Sequence, residues 1–144
     1  MTTGGQVAVD AAAQQSAAAA AANGKAITPM AYGCWTQRWS WAGKALAGNT
    51  LYTYYHVGGW CASGTSVTRA WEADSGGQTY AIGWRYEGVV KRSSGIVSNQ
   101  GRSYTQHKFV LGAGGWDVQT SIPCGRVKGY YNATSGADGT CGIY

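Results

Sequence analysis

Glu72 and Asp74, in the stretch AWEADSGG, are the carboxylate pair whose spacing best suits chemistry. Two residues apart on a strand, their side chains share a face. Such a pair can act as a general acid with its partner or, together with Ser75, as a calcium-ligating loop, although a solvated turn explains the same residues more simply. His56 and His107 are the two imidazoles. Both fall in strand-like segments with no nucleophile motif beside them, so each reads as a satisfied or surface histidine rather than a base. No GxSxG elbow, Walker loop or HExxH helix occurs. The sequence therefore points away from an enzyme, with no catalytic residue, cofactor or metal expected.

Cys34, Cys61, Cys124 and Cys141 include no CxxC pair, and the histidines are too few and wrongly spaced for a zinc site. Two disulfides in an exported protein are expected. Four cysteines allow three pairings; Cys34 with Cys61 and Cys124 with Cys141 is favoured because each encloses a short segment between neighbouring elements. Each bridge would stabilise the fold by about 3 kcal/mol on loop-entropy grounds. No stretch approaches the ~20 apolar residues of a membrane span. Because no basic flank or leucine-rich core marks a signal peptide, the expectation is that one was removed and Met1 added. Asn132-Ala133-Thr134 is a glycosylation sequon, meaningful only in a eukaryotic source.

The elements that must hold these residues are strands. The 144 residues suit one domain plus a tail, and 23 glycines, ten tyrosines and seven tryptophans against one phenylalanine describe an all-β protein with many turns. A net charge of +5, with no long basic run, favours weak electrostatic attraction over nucleic-acid binding. From Cys34 the apolar period becomes two, with Trp35, Gln37, Trp39 and Trp41 on one face. GKALAGN turns the chain into TLYTYYHV, and Ser63-Gly64-Thr65 turns it into SVTRAWEA. Asp74 to Gly77 reads as a turn before a strand carrying Tyr80, Ile82, Trp84 and Tyr86 on one face. Arg92 to Gly101 reads as a polar crossing. RSYTQHKFVLG, WDVQTSI with Trp116, Val118, Thr120 and Ile122 alternating, and CGRVKGYYNAT supply the remaining strands. About seven antiparallel strands make a β-sandwich over residues 31–144, with a partly closed barrel as the alternative.

Residues 1–30 form an alanine-rich tail and linker of different character. Residues 1–6 read as flexible, and 7–22 as a short helix with Asp10 as N-cap and Asn23-Gly24 as a stop. A helix of that length is marginal in water and needs a partner to pack against. Val7, Val9, Ala11, Ala12, Ala18, Ala19 and Ala22 are accordingly the expected partner-binding residues. Most tryptophans must fill the core of a chain with so little leucine and phenylalanine. Tyr52, Tyr54, Tyr130 and Tyr131 are then expected to be exposed as a ligand or partner surface, since their strand neighbours are assigned inward. Exposed aromatics of this kind also fit a secreted carbohydrate-binding module.

Cys34-Trp35, Trp60-Cys61-Ala62-Ser63-Gly64-Thr65, the Trp116 strand and Gly129-Tyr130-Tyr131-Asn132 together resemble small secreted β-sandwich proteins of actinobacteria. The match covers about residues 34–134, and Ala62-Ser63 departs from the tyrosine-aspartate pair usual there. The alanine-rich residues 7–24 resemble the strut component of umbrella-shaped toxin particles secreted by streptomycetes. That resemblance implies an extracellular adaptor without activity of its own. In such particles its N-terminal segment would insert into an alanine-rich helical ring, and its β-domain would join a lectin-like subunit.

Overall fold

A computed structural model describes residues 2–8 and 31–144. Among them are nine strands and no helix: β1 (Thr2–Ala8), β2 (Ala31–Lys44), β3 (Thr50–Gly64), β4 (Ser66–Thr79), β5 (Trp84–Val97), β6 (Gln100–Ala113), β7 (Trp116–Ser121), β8 (Cys124–Gly129) and β9 (Ser135–Asp138). Two antiparallel sheets face one another, one ordered β1-β2-β3-β4 and the other β5-β6-β8-β9, with β7 paired to the far half of β6. The expected β-sandwich is the architecture observed. Cys34 is bonded to Cys61 directly across β2 and β3, and Cys124 of β8 to Cys141 in the C-terminal tail, as favoured from the sequence.

Several local expectations are corrected by tertiary pairing. Thr2–Ala8, read as a flexible stretch running into a helix at Val7, is a strand whose Ala8 lies opposite Trp35. The edge of β2 supplies the backbone partners that this segment lacks alone. Val9, Ala11, Ala12, Ala18, Ala19 and Ala22, and the rest of the expected helix, lie outside the described residues. Asp74 to Gly77 is the interior of β4, and Tyr80 to Gly83 is the turn. The expected crossing from Arg92 to Gly101 is a hairpin, in which Ser98 and Asn99 both adopt positive φ (51° and 57°). That geometry is the two-residue turn whose twist matches the flanking strands.

The core is built from rings laid on bare backbone. Trp35, Trp60 and Ala62 form one buried cluster, and Trp41, Tyr52, Tyr54, Trp84 and Phe109 another. Trp41 stacks on Tyr54 with centroids 5.4 Å apart, and Tyr52 on Phe109 at 4.1 Å. Across the sandwich, a Cβ at Gly125 would lie 2.4 Å from the Trp41 ring, and one at Gly129 would lie 2.0 Å from that of Trp60. These β8 glycines are the sockets of the tryptophans.

The outer face of the second sheet carries one buried charge. Arg126, nearly inaccessible, meets Asp138 of β9 at 3.0 and 2.7 Å, and Lys128 approaches the same carboxylate at 3.4 Å. Burial works against the Asp138 carboxylate, but Arg126 and the Thr140 N–H outweigh it and hold its pKa down at about 2. Asp138→Ala should cost about 3 kcal/mol, because it leaves the Arg126 guanidinium buried without a counter-ion. Urea denaturation of the two proteins measures it; a loss under about 0.5 kcal/mol, typical of an exposed pair, would contradict it.

Candidate functional site

Between the two aromatic clusters the core turns polar. On β3, Tyr52 and Tyr54 precede His56, and Trp60 follows; on β6, Phe109 and His107 are succeeded inward by Thr105, Ser103 and then Gly101. His56 Nε2 bonds Ser103 Oγ at 2.7 Å, and His56 Nδ1 bonds Thr105 Oγ1 at 3.0 Å. Thr105 Oγ1 in turn bonds His107 Nε2 at 2.8 Å, and His107 Nδ1 bonds Tyr86 OH at 2.8 Å. With both imidazoles neutral, all four protons can point toward Ser103 or all four toward Tyr86, so every ring nitrogen is satisfied either way. Burial, then the neighbouring His107 and Arg92, push His56 down to about 3; burial and Arg92 push His107 down to about 4. The histidines are thus satisfied and buried, as the first of the two sequence readings held.

Tyr86 carries this chain outward into a cleft of about 480 Å³ at the seam where β4 and β5, the edges of the two sheets, face each other. Its ring lies on Gly77, where a Cβ would sit 2.7 Å away. Glu72, Ser75 and Arg92 line the same cleft. Ser75 Oγ donates to Glu72 Oε2 at 2.6 Å, and Arg92 Nη1 stands 3.4 Å from Glu72 Oε1.

The expected sharing of a face by Glu72 and Asp74 does not hold. Ala73 is an extra residue in the β3–β4 ladder, since Asp74 pairs with Val57 and Glu72 with Gly58. A bulge shifts the alternation by one. Asp74 therefore accepts from Tyr55 OH at 3.2 Å, while Glu72 serves the cleft. Among the described residues, no group of three or more His, Cys, Asp or Glu side chains is placed to hold a metal.

Tyr52 and Tyr54, expected at the surface, are buried: their face of β3 is the inner one, opposite Gly43 and Trp41. Two phenol rings and an imidazole fill that face better than Leu51, Thr53, Tyr55 and Val57 would fill it. Tyr54 OH donates to the Cys124 carbonyl at 3.2 Å, and burial, with Tyr52 beside it, raises its pKa to about 12. Tyr130 and Tyr131 are half-buried; Tyr131 packs beside the Trp35–Trp60 cluster, and the Tyr130 carbonyl accepts from Trp60 Nε1 at 3.0 Å.

Several exposed apolar residues lie instead where the β2–β3, β4–β5 and β6–β7 turns meet, while Tyr32, Ile96 and Tyr144 are exposed elsewhere. Leu46 and Ile82 are fully exposed, Trp116 is 78% exposed, and Tyr80 and Val118 are mostly so. Backbone bonds from Tyr80 N to Leu51 O and from Gly112 N to Gly83 O, both 2.9 Å, tie these turns into one pole. Ala31 enters β2 opposite Gly64, at the other pole, beside the Thr65 and Asn99 turns that are joined by an Asn99 Nδ2 to Thr65 O bond of 2.8 Å. The sequence signal for the apolar pole was present in the turn-bounded Leu46, Ile82 and Trp116. Alternation had assigned Ile82 to a strand face, whereas Trp116 does open strand β7.

No protein-family model, no curated protein and no solved structure matches this chain.

Proposed function

We propose that this protein is a secreted, non-enzymatic adaptor that joins two other protein components through opposite poles of a disulfide-braced sandwich. The observation that carries this reading is the convergence of Leu46, Tyr80, Ile82 and Trp116 on one pole, fully or mostly exposed. Exposed apolar side chains on the turns of one pole are favoured anchors for a protein partner. The alanine-rich segment rejoins the sheet at Ala31, the far end of β2, and 14 residues of strand, roughly 45 Å of path, separate that point from the Lys44 turn. Two attachment points that far apart suit a connecting piece. The two disulfides fit an oxidising compartment such as the extracellular space. By the resemblance to the toxin-particle strut, the segment at Ala31 would enter an alanine-rich helical ring and the apolar pole would seat a lectin-like subunit.

Affinity capture from native culture medium, with mass-spectrometric identification, tests this reading. The wild type should retain two different proteins. Leu46→Glu, Ile82→Glu and Trp116→Glu combined should weaken one of them about 100-fold, since buried unpaired charges cost an interface several kcal/mol. Ala18→Glu with Ala19→Glu should release the other and leave β1 unchanged in sequence. Loss of neither protein, or of both together with either variant, would contradict the arrangement.

A further inference from the structure

We infer that the seam cleft between β4 and β5 is a binding site for an uncharged polyhydroxylated ligand, a saccharide unit, held by Glu72, Ser75, Tyr86 and Arg92. Three bulges surround it. Ala73 is the extra residue on β4, and Glu87 and Val90 are the extra residues on β5, where Tyr86 pairs with Phe109 and Gly88 with Lys108, then Val89 with His107 and Lys91 with Gln106. Each bulge re-aims side chains at an edge, and bulges concentrate beside binding sites for that reason. Here they bring a carboxylate, a hydroxyl, a phenol and a guanidinium from two different sheets to one cleft.

The chemistry of the lining selects the ligand. Glu72 is only 16% exposed and already held by Ser75, whereas Arg92 is 60% exposed and offers further N–H donors beyond the one facing Glu72. A fixed carboxylate beside a planar donor fork matches a vicinal diol, accepting from one hydroxyl while donating to the other. Tyr86, whose ring is packed on Gly77 and Phe109, adds only a small apolar contact at the cleft wall for the C–H side of a pyranose. Glu72 disfavours phosphate, sulfate or carboxylate ligands, and Arg92 disfavours an organic cation. A lining dominated by polar groups gives an apolar ligand little to bury. The volume of about 480 Å³ lies within the range of small-ligand clefts. Tyr86 is anchored from below by His107, so its position in the cleft is set before any ligand arrives. This inference stands apart from the adaptor reading, which uses the two poles.

The test is an amide NMR titration of the full chain with the methyl glycosides of glucose, mannose, galactose and N-acetylglucosamine and with their 1,4-linked disaccharides. At least one should shift the amides of Ser75, Gly76, Val89 and Arg92 in a saturable manner. Arg92→Ala and Glu72→Gln should each weaken that binding about tenfold or more, as expected for loss of a charge-assisted hydrogen bond. Arg92→Lys should restore part of it. Neither side chain is part of the core, and a dispersed amide spectrum of each variant verifies its fold. Absence of saturable shifts at the cleft with every saccharide, or binding indifferent to both substitutions, would overturn the inference.

Discussion

Acidification from neutrality to about pH 4.5 should remove about 5 kcal/mol of folding stability, a large share of what a domain of this size possesses. The cause is the His56–Thr105–His107 chain in the middle of the core. Folded, the two imidazoles are held neutral, with pKa values near 3 and 4; unfolded, each returns to the ordinary value of 6.5. Below 6.5 the unfolded chain binds protons that the native protein refuses, so stability is complete above that pH and falls as pH drops toward the folded values. Each imidazole contributes about 1.4 kcal/mol per pH unit across that window. The Asp138 carboxylate, depressed to about 2, adds its own loss only between its ordinary value of 3.8 and that lower one. Thermal unfolding followed by near-ultraviolet dichroism of the buried tryptophans measures the effect. The double variant His56→Gln, His107→Gln should show a much flatter profile between about pH 6.5 and 4.5. A flat profile in the wild type would show that the histidines are not buried neutral.

Gly129→Ala should destabilise the fold by about 3 kcal/mol or more, as overpacking does where nothing can yield. The added methyl would coincide with the ring of Trp60, which is fully buried, and the Cβ of Trp60 lies 2.7 Å from the Cβ position of Gly101. Trp60 is also fixed by its Nε1 bond to the Tyr130 carbonyl. It can move neither toward β6 nor away from the turn after β8. Gly48→Ala provides the contrast: its Cβ would meet nothing within 4 Å, and any cost would come from its φ of +91° alone. Urea midpoints for the two variants should differ strongly, and equal midpoints would mean that Trp60 has room the described packing denies it.

The architecture was readable because alternation, turn residues and cysteine spacing are local signals. CWTQRWSWA, the Ser63-Gly64-Thr65 turn and the two disulfides all follow from residues near one another. What escaped is set by pairing and packing with elements distant in the chain. Nothing near Tyr52 and Tyr54 in the chain says which face of β3 meets β6, so their burial beneath Phe109 had no local mark. The same holds for Gly125 and Gly129, whose role depends on tryptophans some 70 or more residues away. The separation of Glu72 from Asp74 by one extra residue depends on the register with β3, which a strand pattern assumes to be unbroken.

The central claim, that the domain is a connector with a docking pole at Leu46, Ile82 and Trp116, is tested most directly by hydrogen–deuterium exchange of the protein free and within its native assembly. Protection on assembly should appear in residues 45–49, 80–83 and 113–117 and in the alanine-rich residues 9–30. Protection confined to the Gly64–Thr65 and Ser98–Asn99 turns, with the apolar pole exchanging as in the free protein, would contradict it.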